Sequence, residues 1–161
     1  MKKIKTYSNA GLSVSDLALV KEKVSTAMAE YPVRLVYLFG SYGRSLKGGR
    51  VTKFSDFDLA VLLADEIDAD TVVDTKLDLI DLFIRVFSRD DIDLTLINRA
   101  DYILRREILT SGCLLFARSP KERIDFEITT RRDYFDMKFM RDFYRKNFIE
   151  KVKRSGGDGQ P

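Results

Sequence analysis

The sequence predicts one α+β domain in which helices pack on a small mixed β-sheet. Segments with helical periodicity alternate with short apolar runs typical of strands. The 161 residues are enough for one proper hydrophobic core and leave little room for a second domain. Hydrophobic residues make up 45% and charged residues 33%, which is ordinary for a globular protein. The prediction is therefore an α/β layer fold with a helical extension at its C-terminal end.

The elements of this fold are predicted from apolar spacing and from turn residues. A first helix over about 14–30 has serine caps and an apolar stripe formed by Leu17, Val20, Val24 and Met28. The later elements are a buried strand at 34–39, a short helical turn from residue 40, a strand at 56–63, a long helix at 70–87, a strand at 92–97, a helix at 100–110, a short strand at 113–117 and a mostly helical remainder to about residue 153.

Three smaller features complete this organisation. Residues 47–50 are expected to form a loop or hairpin tip, and Gly112 is a plausible end signal for the helix before it. The single cysteine, Cys113, lies in a strand-like run and is expected to be part of the core. We divide the chain into a main α+β domain at 1–118, a helical extension of the same domain at 119–153 and a disordered tail at 154–161.

Two absences restrict the chemistry. The sequence contains no histidine, which excludes Ser-His-Asp, Cys-His and histidine–metal sites. One cysteine excludes an intrachain disulfide and a zinc cluster, and it fits a reducing cytosol. No apolar run is long enough to cross a bilayer and no secretion signal is visible, so a cytoplasmic location is expected. Catalysis would have to use carboxylates, hydroxyls, Lys, Arg or bound ions.

Charge is distributed unevenly along the chain. Residues 1–50 carry nine basic and three acidic side chains, whereas residues 51–100 carry five basic and twelve acidic ones. Residues 101–161 carry fourteen basic and ten acidic side chains. An acidic middle between basic ends suits a metal site flanked by groups that attract polyanions, although a charged surface without a partner gives the same composition.

Three aspartates indicate a metal site. Asp56 and Asp58 are two residues apart at the start of an apolar strand, so their side chains share one face. Asp93 begins the next strand and can meet them if the two strands are neighbours. Carboxylates so placed repel one another unless a cation neutralises them, and Mg²⁺ prefers oxygen ligands. Three carboxylates can hold the two Mg²⁺ ions of an in-line phosphoryl displacement.

A Gly-Ser turn after the first buried strand indicates a phosphate site. Gly40 lets the backbone approach a phosphate closely, and Ser41 offers a hydroxyl beside backbone N–H groups that bind oxyanions. Arg44 can reach a triphosphate with its fork of donors. Gly-Ser alone is a common turn, and Asp-x-Asp alone is often solvated surface. Their combination, in this order after a buried strand, favours a site.

These motifs resemble those of the DNA polymerase beta-like nucleotidyltransferase superfamily, and the short chain resembles its minimal nucleotidyltransferase (MNT) group. The resemblance rests on Leu38-Phe39-Gly40-Ser41, on Ser55-Asp56-Phe57-Asp58-Leu59-Ala60-Val61 and on Ile92-Asp93-Leu94, and it covers roughly residues 33–117. It implies Asp56, Asp58 and Asp93 as metal ligands and catalytic residues, and Gly40, Ser41 and Arg44 as nucleotide-binding residues. The spacing between Ser41 and Asp56 is a few residues longer than usual in the family.

The resemblance also implies a function. Many MNT proteins are antitoxins that transfer AMP from ATP to a tyrosine of a HEPN-domain ribonuclease toxin. Two other functions remain open: nucleotidyl transfer to a small molecule such as an aminoglycoside, for which about 44 residues after Ala117 are few, and a non-enzymatic toxin-binding module. The sequence leaves open the base of the nucleotide, the acceptor and the oligomeric state.

Surplus apolar residues suggest a protein partner or a homo-oligomer. The predicted helix at 70–87 is apolar on nearly all sides, and the C-terminal segment carries two apolar stripes, one with Phe135, Phe139 and Phe143. The alternative is that this last helix covers its own core. Basic residues also lie between the aromatics, but interleaved acids favour a solvated face over nucleic-acid binding.

Overall fold

The computed structural model of the chain describes residues 14–46, 55–65 and 68–155. Its helices are α1 (Val14–Ala27), α2 (Gly40–Ser45), α3 (Ala69–Phe87), α4 (Tyr102–Ser111) and α5 (Pro120–Ser155), and short 3-10 turns lie at Met28–Glu30 and Ile97–Arg99. Its strands are β1 (Val33–Leu38), β2 (Phe57–Leu63), β3 (Ile92–Leu96) and β4 (Cys113–Ala117). These bounds agree with the predicted elements to within about two residues. The loop predicted at 47–50 lies outside the described residues.

The four strands form one mixed sheet in the order β3-β2-β1-β4. β1 pairs antiparallel with both β2 and β4, whereas β2 pairs parallel with β3. A parallel pair needs a long crossover, and the 19 residues of α3 provide it. The predicted mixed sheet is confirmed, and the condition under which Asp93 can meet Asp58, that their strands are neighbours, is met.

The sheet is covered on both faces. Along β2, Phe57, Leu59 and Val61 point into a core formed with α1 and α3, and all three are fully buried. Ala60 and Leu62 point to the other face, where Ile108 of α4 and Phe126 of α5 pack. The alternation places Asp58 at the open end of this second face, since it is two residues before Ala60.

Local contacts explain where α4 begins and ends, and Cys113, which follows it, is less buried than expected. The carboxylate of Asp101 caps the start of the helix by accepting a hydrogen bond from the Leu104 N–H at 2.8 Å. Gly112 ends the helix as predicted, but its backbone is extended rather than left-handed. A Cβ at this position would lie 2.3 Å from the Ile108 carbonyl oxygen, so close approach explains the glycine. Cys113 is half-buried on edge strand β4, not deep in the core as expected.

α5 is one continuous helix of 36 residues, and only its first part packs on the domain. Phe126 and Thr130 are buried, whereas every described side chain from Phe135 onwards is exposed, with Phe139 at 70%. The alternative that this helix covers its own core is therefore wrong for its C-terminal half. The helix runs two residues into the predicted tail, and residues 156–161 lie outside the described part. None of the helices described is long and apolar enough to span a bilayer.

Candidate active site

Two of the predicted site carboxylates are cross-strand neighbours. Asp58 of β2 is in register with Asp93 of β3, so both side chains are on the same face of the sheet. Adjacent strands are separated by about 4.8 Å, which brings the two carboxylates close together. Asp56 lies one residue before β2 and is exposed. Strand pairing thus brings together residues that are 35 positions apart in the sequence.

The surroundings of Asp58 shift the pKa of its carboxyl group upwards. Burial raises the pKa of the Asp58 carboxyl above its ordinary value, and the charges of Asp93 and Asp56 raise it further. Arg44 acts in the opposite direction, whereas Glu107 adds to the rise. Oxygen donors that disfavour one another's charge are suited to a hard divalent cation. In the part of the chain described, however, no three acidic, histidine or cysteine residues converge as a metal-binding group.

Gly40 lies directly against Asp58. Its φ of +58° is in the left-handed region, and a Cβ there would be 1.9 Å from Oδ2 of Asp58. The Phe39 N–H also donates to the Asp58 carbonyl oxygen at 3.0 Å. The glycine was predicted from close approach to a phosphate, and the structure adds a second requirement, because any side chain would displace the Asp58 carboxylate.

Ser41 and Arg44 lie on α2, which begins at Gly40. Ser41 is half-buried in the first turn, where helix N–H groups have no acceptor within the helix and are free to bind an oxyanion. Arg44 is exposed one turn later, and its Nη1 lies 3.4 Å from Oε1 of Glu107 on α4. Both partners are about half exposed, so the ion pair is weak and leaves Arg44 available to a phosphate.

An arginine that sequence reasoning missed supports the site. Arg89 forms a two-point ion pair with Asp91, and its Nη1 donates to the Tyr42 hydroxyl at 2.7 Å. Its guanidinium also stacks over the rings of Tyr42 and Phe57. These contacts raise the pKa of Arg89 and lower that of Asp91. They join α2 to the start of β3 and thereby hold Gly40 and Asp93 in fixed relative positions.

The sequence contained a weak signal for this network and none for Glu107. Arg89 and Asp91 are two residues apart and of opposite charge, but nothing in the order of residues links Arg89 with Tyr42, 47 positions earlier. Glu107 lies on the outer turn of α4 and reaches Arg44 across 63 positions. Such pairs depend on how helices pack over the sheet, which local patterns do not encode.

Comparison with known proteins identifies the fold. The profile of the family described as Polymerase beta, Nucleotidyltransferase matches residues 22–121, which include every predicted site residue. None of the curated protein sequences matches the chain.

Solved structures with a similar fold come from toxin–antitoxin complexes. One, a toxin–antitoxin with AMP-PNP, matches with a TM-score of 0.58 and 23% identity over 80% of this chain and 98% of the other. A second, a tri-AMPylated Shewanella oneidensis HEPN toxin in complex with MNT antitoxin, has a TM-score of 0.55 and 22% identity over 83% and 98%. A third is an MntA–HpeT mutant with two Asp-to-Glu changes two positions apart, with a TM-score of 0.58 and 22% identity over 80% and 98%.

Proposed function

This chain belongs to the polymerase beta nucleotidyltransferase family, and we propose that it transfers AMP from ATP to a tyrosine of a HEPN-type toxin and thereby neutralises it. The observation that carries the proposal is the register pairing of Asp58 with Asp93 directly beside Gly40. It brings two carboxylates, which would bind a cation, next to a Gly-Ser turn, which would bind phosphate, at one end of the sheet. The family and the fold of the toxin–antitoxin complexes support the same function.

We assign the predicted residues as follows. Asp58 and Asp93, which are in register, would hold two Mg²⁺ ions together with Asp56, and because the three carboxylates do not converge without the ions, their side chains would have to turn inwards on binding. Bound Mg²⁺ would neutralise phosphate charge and lower the pKa of the attacking hydroxyl. The backbone at Gly40 and Ser41 would bind the triphosphate, and Arg44 would bind its outer phosphates. The acceptor oxygen attacks the α-phosphorus, the bond to the bridging oxygen breaks and pyrophosphate leaves. Asp93 orients the acceptor hydroxyl and takes up its proton before solvent does.

The exposed half of α5 would bind the toxin. Its aromatic side chains remain in water in the isolated chain, including Phe135, Phe143 and Phe148 at 63%, 52% and 67% exposure. Large apolar patches of this kind usually belong to protein interfaces. A small-molecule acceptor is less well supported, because the described chain after β4 forms one helix and no second lobe. The cytoplasm is the proposed location, because it supplies ATP and because a single cysteine fits a reducing compartment.

The test uses purified chain, the protein encoded by the neighbouring reading frame and ATP labelled at the α-phosphate. The chain is expected to label that protein at a tyrosine, and Asp58→Asn is expected to reduce labelling by about 1,000-fold, since metal binding supplies several kcal/mol. Asp74→Asn is the matched control and should label normally, because Asp74 is exposed on α3 and is not among the proposed site residues. Undiminished labelling by Asp58→Asn would refute the assignment, and transfer to an aminoglycoside instead would favour the small-molecule alternative.

A further inference from the structure

A groove of about 340 Å³ lies along the outer edge of β3 and begins at Asp93. β3 is an edge strand, and no strand of the described part pairs with its outer side. Leu94 and Leu96 line the groove, and as whole residues they are 2% and 8% exposed, so an added strand would have to displace the side chains that cover their backbone.

The hydrogen-bond register shows which backbone groups face the groove. The Phe57 N–H donates to the Asp91 carbonyl oxygen at 3.0 Å, and Phe57 is in register with Ile92. In a parallel ladder, alternate residues of a strand bond to the same neighbour, so Asp91, Asp93 and Thr95 direct their backbone groups towards β2. The backbone N–H and C=O groups of Leu94 and Leu96 therefore point outwards. Such a row is a ready template for an added strand.

The groove lies on the correct side of the carboxylates for an acceptor. The sheet order places Gly40 beyond Asp58 on the β1 side and the groove beyond Asp93 on the opposite side. In-line displacement requires the attacking oxygen and the leaving pyrophosphate on opposite sides of the phosphorus. With the triphosphate at Gly40, the attack comes from the direction of the groove.

Charge indicates what binds there. Lys76 of α3 and Arg99 of the 3-10 turn after β3 both line the groove. No ion pair of the described residues includes either cation, and Asp93 is the one carboxylate among the lining residues described. Two cations flanking an open strand edge are complementary to an acidic peptide in extended conformation.

We propose that an extended, acidic segment of the acceptor protein binds as an added strand on the outer edge of β3, with its carboxylates at Lys76 and Arg99 and its hydroxyl beside Asp93. This rests on the proposed function for the identity of the reaction. Main-chain hydrogen bonds to Leu94 and Leu96 give the segment its direction, and the two cations select its composition. Neighbouring strands bring side chains on the same face to about 5 Å, so strand addition itself delivers the hydroxyl to Asp93.

The first experiment measures backbone protection without ATP. The probe is a synthetic ten-residue peptide with one tyrosine flanked by glutamates, titrated into the full chain while amide exchange is followed by NMR. The Leu94 and Leu96 amides are expected to exchange at least about 10-fold more slowly when the peptide is bound, because the new ladder protects them. The Asp93 and Thr95 amides, already bonded to β2, serve as an internal control and should not change. Peptide binding that leaves Leu94 and Leu96 unprotected overturns the proposal.

The second experiment exchanges the charges. The parent chain should bind the glutamate peptide about 10-fold more tightly than a lysine-flanked version, as two exposed ion pairs allow, and Lys76→Glu with Arg99→Glu should reverse this preference. Arg85→Glu is the matched control, because Arg85 is exposed on α3 nine residues from Lys76 and hence on the opposite side of the helix. An unchanged preference in the double variant overturns the proposal.

Two further outcomes are decisive. Failure of the glutamate peptide to bind at about 1 mM overturns strand addition, and the same protection produced by AMP alone would identify the groove as a nucleotide subsite instead. Because binding is measured without ATP, the strand-addition site and the proposed AMP transfer can be refuted independently of each other. Groove binding without AMP transfer would remove the proposed function, whereas AMP transfer unaffected by Lys76→Glu and Arg99→Glu would remove only the strand-addition site.

Discussion

Replacing Gly40 with alanine is expected to destabilise the domain and to displace the Asp58 carboxylate. A residue other than glycine at φ +58° costs about 1 kcal/mol. The new Cβ would lie 1.9 Å from Oδ2 and 2.7 Å from Cγ of Asp58. Ordinary contact is about 3.5 Å, so the atoms must separate by roughly 1.6 Å. Because Asp58 can turn aside, we estimate about 1–2 kcal/mol for this overlap, at the low end for overpacking.

The backbone cost and the overlap with Asp58 together lower the free energy of unfolding by about 2–3 kcal/mol, which corresponds to a Tm lower by roughly 6–10 °C for a chain of this length. If Asp58 has the proposed catalytic role, displacing its carboxylate by more than 1 Å should also reduce the proposed AMP transfer about 100-fold at a temperature where both proteins are folded. The assay is thermal and urea unfolding of Gly40→Ala, made both in the parent and in Asp58→Ala. Without the carboxylate only the backbone term of about 1 kcal/mol remains. An equal loss in both backgrounds would refute the contact with Asp58, and no loss in either would refute the strained backbone.

Three further changes test other parts of the structure. Arg89→Met removes the contacts with Asp91 and Tyr42 and should lower the free energy of urea unfolding by about 2 kcal/mol. The control Arg123→Met removes an exposed ion pair within α5 and should lower it by about 0.5 kcal/mol. Equal losses in the two variants would contradict the supporting role of Arg89. Burial raises the pKa of Tyr37 to about 12, above its value in the unfolded chain. About 2–3 kcal/mol of folding stability, present below pH 10, is therefore lost as the pH rises from 10 to 12. Tyr37→Phe should abolish this loss when denaturation is measured as a function of pH. Phe139→Asp should leave the Tm within about 1 °C, since its ring is 70% exposed, yet weaken toxin binding in calorimetry at least about 10-fold; unchanged binding would exclude this part of α5 from the interface.

Local patterns predicted most of the fold. Apolar runs and turn residues predicted the helices and strands described. Asp56 and Asp58 were predicted to share one face of a strand, which leaves the opposite face to Phe57 and Leu59, and both of these are fully buried. The exception was α5. Its apolar residues lie on several faces, so periodicity could not tell a helix that covers the core from one that extends into solvent.

The sequence by itself determined the chemistry of the candidate site, because residue types and short spacings are local information. Asp-x-Asp on a strand, a second acidic strand start and a Gly-Ser turn were all readable, and the assignment of metal-binding and phosphate-binding roles to them remains a prediction. Tertiary structure decided which groups meet. Strand order and register placed Asp58 opposite Asp93, against Gly40, and left the outer edge of β3 unpaired among the described strands. Pairing register and helix packing depend on contacts between residues far apart in the chain, so no window of sequence contains them.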